Sequence, residues 1–165
     1  MAPPIATPAP GATPGQAGGK PKKRDGRDGE GGSGRGESAA PRDSAASQKA
    51  AAAGQAALAR GRLSEAEDAF NRAVRADSTN PIAVGGLAEV AFEHARYAEA
   101  LDYARRASRL APQSSKYLVV LGDAYFKLLR YDEAKATYQK ARALAPKDEG
   151  IKTRLDRVQS KLGTR

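Results

Sequence analysis

The chain has 165 residues, room for one modest domain, and 28 Lys and Arg against 19 Asp and Glu give it a formal net charge of +9. It contains no cysteine and one histidine, His94, which excludes a disulfide framework, a thiolate metal site and a thiol nucleophile. No run approaches the ~18 apolar residues needed to span a bilayer, and the opening MAPPIATPAP lacks the apolar stretch of a secretory signal, so the expectation is a soluble cytoplasmic protein.

Positions 1–46 read as a disordered tail or linker. They run from PPIATPAPGATPG into GGKPKKRDGRDGEGGSGRGE, with almost no large apolar group whose burial would offset the entropy of ordering. The proline end is expected to be stiffer than the glycine end. Lys20-Pro21-Lys22-Lys23-Arg24 reads either as a basic address or as a solvated cluster, and the acids that follow at once favour the second. Most of the positive excess lies further on: 1–44 carries seven basic and five acidic residues, the remainder 21 and 14.

The first helix is expected from Ser47 to about Arg60. It is almost all alanine, which favours helix but buries little area, so it should be the loosest element. Gly61 suits a helix end. Ser64 and Glu67 have capping-box spacing for a second helix whose buried stripe is Ala66, Ala69, Phe70, Ala73 and Val74. Asn80-Pro81 opens the next helix as cap and first residue. A helix at about Ala98–Ala111 turns Leu101, Ala104, Ala107 and Leu110 inward, and Pro112 stops it. Asp132 is expected to cap the helix that buries Ala134, Tyr138, Ala141 and Leu144–Ala145. A last helix carries Ile151, Leu155, Val158 and Leu162 as one apolar stripe, with Lys152, Arg154, Asp156, Arg157 and Lys161 on its other faces.

These elements repeat at a period of 34 residues. In Ser115–Asp148, the residues Leu118, Leu121, Gly122, Tyr125, Ala134, Tyr138, Ala141 and Pro146 fall in two helical bursts around a break at Leu129-Arg130-Tyr131. One period back, Gly122 becomes Ala88, Tyr131 becomes Tyr97, Glu133-Ala134 becomes Glu99-Ala100 and Pro146 becomes Pro112. Another period back gives Gly54, Leu63, Glu65-Ala66 and Ser78. A fixed period of this length marks a solenoid, and on these positions the chain resembles the tetratricopeptide repeat (TPR) family. The resemblance implies an all-α, right-handed solenoid of three helix hairpins at 47–80, 81–114 and 115–148. The helix in 149–165 then serves as the wet-faced cap that such arrays require.

No catalytic constellation is visible: there is no phosphate loop, no nucleophile elbow and no metal cage. Glu89 and Glu93, four apart on one helix, read as solvated or ion-paired rather than as chelators. The expectation is a non-catalytic protein that needs no cofactor or metal. The resemblance implies a concave groove lined by Gln48, Ala51, Ala52, Gln55, Leu58 and Ala59 of the first repeat. The second contributes Ile82, Gly85, Gly86, Glu89, Phe92 and Glu93, and the third Lys116, Val119, Val120, Asp123, Phe126 and Lys127. Such a surface suits a peptide or an amphipathic helix. Gly85-Gly86 either lets a partner's backbone approach or accommodates a neighbouring helix. Some family members grip a C-terminal carboxylate at positions that here are Ala51, Gln55, Gly86, Lys116 and Val120. Only Lys116 has the chemistry for it.

The remaining basic residues, Arg72, Arg75, Arg105, Arg106, Arg109, Lys140 and Arg142, fall on second helices and read as a solvated convex face. Without stacking aromatics no nucleic-acid site is expected there. The function expected is that of a protein-interaction adaptor. The tail-plus-array layout also resembles bacterial signalling, motility and assembly proteins. The alternatives are a self-associating module, through the alanine-rich edge at Ala50–Ala59, or a regulatory appendage of a larger enzyme such as a kinase.

Overall fold

The computed structural model describes residues 42–164. Among them are seven helices: α1 (Ser44–Ala59), α2 (Leu63–Ala76), α3 (Pro81–Glu93), α4 (Tyr97–Leu110), α5 (Ser115–Lys127), α6 (Tyr131–Leu144) and α7 (Glu149–Gly163). The basic cluster at 20–24 and nearly all of the expected tail lie outside the described residues. The helices pair in sequence as α1–α2, α3–α4 and α5–α6, and each pair packs on the next through α2–α3, α4–α5 and α6–α7. The first helices also touch one another, α1 against α3 and α3 against α5. An array curves toward the layer whose members approach most closely, so α1, α3 and α5 line the inner side.

Small residues make the pairing close. Ala66, Ala73, Ala100, Ala104, Ala107, Ala134 and Ala141 are fully buried on the second helices. Larger groups fill the spaces between hairpins: Phe70 between the first two, and Tyr138, Ile151, Leu155 and Val158 between the third and the cap. Val74 and Leu110 are only partly buried, and Leu144, expected in the core, is 39% exposed. It is the last residue of α6 and does not join the cluster that Ala141 forms with α7.

The first helix begins before Ser47. Asp43 caps it, its carboxylate accepting from the Ala46 amide at 2.8 Å. Ser47 is instead buried. Its hydroxyl donates to the Ala73 carbonyl at 2.9 Å and accepts from the Asn80 amide nitrogen at 2.8 Å, so it ties α1 to the start of the second repeat. Asn80 caps α3 as expected, accepting from Ile82 and Ala83.

The capping box expected at Ser64 and Glu67 and the cap expected at Asp132 do not form. α2, α4 and α6 start behind Arg62, Arg96 and Arg130, none of which makes a side-chain cap. Ser64 and Asp132 lie inside the first turns, and Glu67 reaches across to Arg96 at 2.9 Å. The chain turns instead through three copies of one Schellman closure. The amides of Arg62, Arg96 and Arg130 bond the carbonyls of Ala57, Ala91 and Tyr125, and those of Gly61, Ala95 and Leu129 bond Leu58, Phe92 and Phe126.

The turn position has φ of +72° at Gly61, +57° at Ala95 and +61° at Leu129. A β-carbon there costs about 1–2 kcal/mol. Glycine removes that strain but adds unfolded-state entropy. Ala95→Gly and Leu129→Gly are each expected to stabilise the array by about 0.5–1 kcal/mol, read as a higher urea midpoint. A lower midpoint would contradict the strain.

Candidate functional site

On the inner side the helices leave a cleft of about 730 Å³. Its floor is apolar, with Leu58 from α1, Phe92 from α3 and Val119 and Val120 from α5, and it is edged by Glu89, Glu93, Lys116 and Asp123. All eight are residues that the resemblance assigns to the groove. A small adjoining space touches Gln55, Ile82 and Gly86, and a second recess of about 400 Å³ holds Phe126 and Lys127 beside Phe92 and Asp123. Gly85 lines none of these.

The two glycines are not open to a partner's backbone. Both are buried. A β-carbon at Gly86 would run into the ring of Phe70, and one at Gly85 into the ring of Tyr117. They accommodate neighbouring side chains from α2 and α5, which decides between the two readings in favour of a neighbouring helix and against the pair as part of a partner site. Ala51, another position in the inward-facing set, is also buried.

The apolar floor is braced from beneath. Phe92 packs against Tyr97 with ring centres 5.4 Å apart, and Phe126 against Tyr131 at 5.3 Å. Both phenylalanines keep part of their surface open, as recognition residues must. Glu89 is paired with Lys116 at 2.8 Å across α3 and α5, so it is not poised to chelate a cation with Glu93. Among the described residues no cluster of three His, Cys, Asp or Glu side chains is placed to hold a metal. His94 closes α3, 3.9 Å from Glu67.

Sequence reasoning missed one wall of the groove. Asp148, Gly150, Thr153, Arg154 and Arg157, from α7 and its cap, line the two clefts. The signal was present: the 34-residue period, carried one step past Lys116, Val119, Val120 and Asp123, lands on Gly150, Thr153, Arg154 and Arg157. The capping helix occupies the place of a fourth first helix, and its inward positions face the groove as theirs do.

Asp123 fastens that wall. It accepts from the Arg154 guanidinium at 2.9 and 3.2 Å and from the Tyr138 hydroxyl at 2.6 Å, joining α5, α6 and α7. The hydrogen bond to Asp123 raises the Arg154 pKa further above its usual value, so it stays charged. Burial, reinforced by the bond to Asp123, pushes the Tyr138 phenol far above its ordinary range, and burial also raises Tyr117 and Tyr103. These phenols ionise at about pH 10 when unfolded. A raised folded value means that their stabilisation is complete below pH 10 and is lost as pH climbs through the folded values. The urea midpoint is therefore expected to fall above pH 10, and Tyr138→Phe should flatten that decline. An equally steep decline in the variant would remove Tyr138 from the account.

Several convex arginines prove to be structural. Arg105 donates to the Tyr125 hydroxyl at 2.9 Å, and Arg106 bonds the Ser78 carbonyl of the preceding loop. Arg130 lies 4.9 Å over the Tyr125 ring. No helix among the described residues is long and apolar enough to cross a membrane.

Comparison with known proteins agrees with this architecture. Tetratricopeptide repeat family models match residues 42–81, 51–115 and 115–148. No curated protein matches the chain. Among solved structures, the first TPR of Spaghetti (RPAP3), bound to the HSP90 peptide SRMEEVD, is 25% identical with a TM-score of 0.71, over 73% of this chain and 96% of that one. The Sgt2 TPR domain from Aspergillus fumigatus is 28% identical with a TM-score of 0.67, over 71% and 79%. The first TPR domain of human RPAP3, at 24% identity, shares the fold with a TM-score of 0.69 over 72% and 94%. With three hairpins at one period, a capping helix and family models covering most of the chain, the protein belongs to the tetratricopeptide repeat family.

Proposed function

We propose that the protein is a non-catalytic adaptor that holds an amphipathic peptide helix in its inner groove. The observation that carries this reading is the apolar floor of Leu58, Phe92, Val119 and Val120, open in a cleft of about 730 Å³ and edged by charges. An amphipathic helix would cover that floor with one stripe and leave its polar side to the rim. The adaptor role, whether in signalling, motility or assembly, would then follow from the partner gripped there.

The related RPAP3 domain is bound to an HSP90 peptide ending in EEVD. The groove described here does not favour such a tail. At the positions that would clamp a terminal carboxylate, Ala51 and Gly86 are buried small residues, Val120 is apolar, Gln55 carries no charge, and Lys116 is already paired with Glu89. A buried carboxylate without its donors is costly to bind.

The test is a titration of the full chain with two labelled probes, a 15-residue amphipathic helical peptide and the peptide SRMEEVD. Saturable binding is expected for the first, at least tenfold tighter than for the second. Phe92→Ala should weaken the first about tenfold, as loss of a central anchor does, while keeping its helicity. Tighter binding of SRMEEVD, or binding of the amphipathic peptide unchanged by Phe92→Ala, would overturn the reading.

A further inference from the structure

The charges of the groove divide into those already paired and those left over. Glu89 is held by Lys116 at 2.8 Å and Asp123 by Arg154 at 2.9 Å. Asp148 is spent on the amides of Gly150 and Ile151. Glu93, Lys127 and Arg157 form none of the ion pairs found among the described residues. Lys127 and Arg157 share one recess of about 400 Å³ with Phe92 and Phe126, whereas Glu93 lies in the adjoining cleft and not in that recess.

The lysine is also held in place. Its ammonium stands 5.9 Å over the ring of Phe92 and 5.5 Å over that of Tyr97. The rings orient the charge without neutralising it. Two unneutralised cations beside an apolar floor make a positive end to the groove, and complementary charge chooses partner and register more than it adds raw affinity.

We infer that the groove selects a peptide carrying an aspartate or glutamate against Lys127 and Arg157, at one end of an apolar stripe that covers Phe92, Val119 and Val120. The inference rests on the groove reading above and specifies its partner as an acidic amphipathic segment. It differs from a grip on a chain terminus, because the two cations meet a side chain beside aromatic rings. Glu93, which lines the neighbouring cleft and not this recess, disfavours acid beside it and so adds to the selection of where the acid sits.

Two synthetic 15-residue helical peptides with the same leucine stripe test this. One carries two glutamates at one end of the polar edge, and the other carries two lysines at those positions. Each is titrated into the full chain by fluorescence anisotropy. The acidic peptide is expected to bind about five- to tenfold tighter, as two exposed ion pairs allow, with the difference shrinking in high salt. The Lys127→Gln/Arg157→Gln double variant, checked for unchanged helicity, should bind both peptides equally. Equal binding of both peptides to the unaltered chain would overturn this inference and leave the groove reading standing. An acidic preference that survives the double variant would show that other cations select the acid and overturn it. Binding of neither peptide would overturn the groove reading and this inference with it.

Discussion

Gly86→Ala is expected to destabilise the array by about 1–3 kcal/mol, although alanine is the better helix former by about 1 kcal/mol. The two effects have opposite signs, so the direction of the change decides between them. The ring of Phe70 lies against Gly86 of α3 and also against Gly54 of α1, where an added β-carbon would stand 2.7 Å from it. The ring is fully buried and already in close contact with both glycines, which leaves it little room to move. A methyl group at 86 must displace Phe70 or push α3 away from α2. Urea unfolding should show the loss. Gly86→Ala combined with Phe70→Leu should cost less than the two changes added separately, because the smaller side chain vacates the contact. Gly163→Ala is the control, since nothing lies within 4 Å of a β-carbon there. A Gly86→Ala protein more stable than the parent would mean that propensity outweighs packing and that the glycine is free for a partner after all.

Asp123→Ala should cost about 1–3 kcal/mol. It leaves the buried Tyr138 hydroxyl without an acceptor and releases Arg154, which is partly solvated and so contributes modestly. Asp123→Asn keeps an acceptor for Tyr138 and should recover part of the loss. The local consequence bears on function. α7 stays docked through Ile151, Leu155 and Val158, but its groove-facing edge loses its anchor. Amide exchange in 149–163 is expected to quicken relative to α3 and α5. Uniform quickening along the chain, or none, would show that Asp123 does not specifically fasten that wall.

Much of the architecture was legible because a repeat states each requirement three times. The period located the hairpins, the break at Leu129-Arg130-Tyr131 located the turn, and the stripe of Ile151, Leu155 and Val158 located the cap. The helix starts were less legible. Ser64 and Asp132 carry capping chemistry, yet the Schellman turn that ends the preceding helix puts Arg62 and Arg130 at the cap positions, so Ser64 and Asp132 fall inside the first turns. That turn shows in sequence only through Gly61, since Ala95 and Leu129 occupy the same strained position without advertising it.

Gly85-Gly86 was undecidable from sequence for a physical reason. A missing side chain reveals that something approaches closely, not what. The groups that approach, Tyr117 and Phe70, lie 32 residues after Gly85 and 16 before Gly86. Most of the set that the resemblance turns inward lines the cleft and its two adjoining spaces. The α7 wall was missed because Arg154 and Arg157 read as the wet face of a cap, and only continuation of the period past Asp148 places them in the groove.

The reading proposed above puts the partner in the inner groove and not on the convex face. Mapping amide and methyl shifts of the full chain while titrating the acidic amphipathic peptide tests it most directly. The account predicts that the largest shifts fall on Leu58, Phe92, Val119, Val120 and Lys127, with those of α2, α4 and α6 small. Largest shifts instead around Arg72, Arg109 and Lys140, with the groove undisturbed, would contradict it.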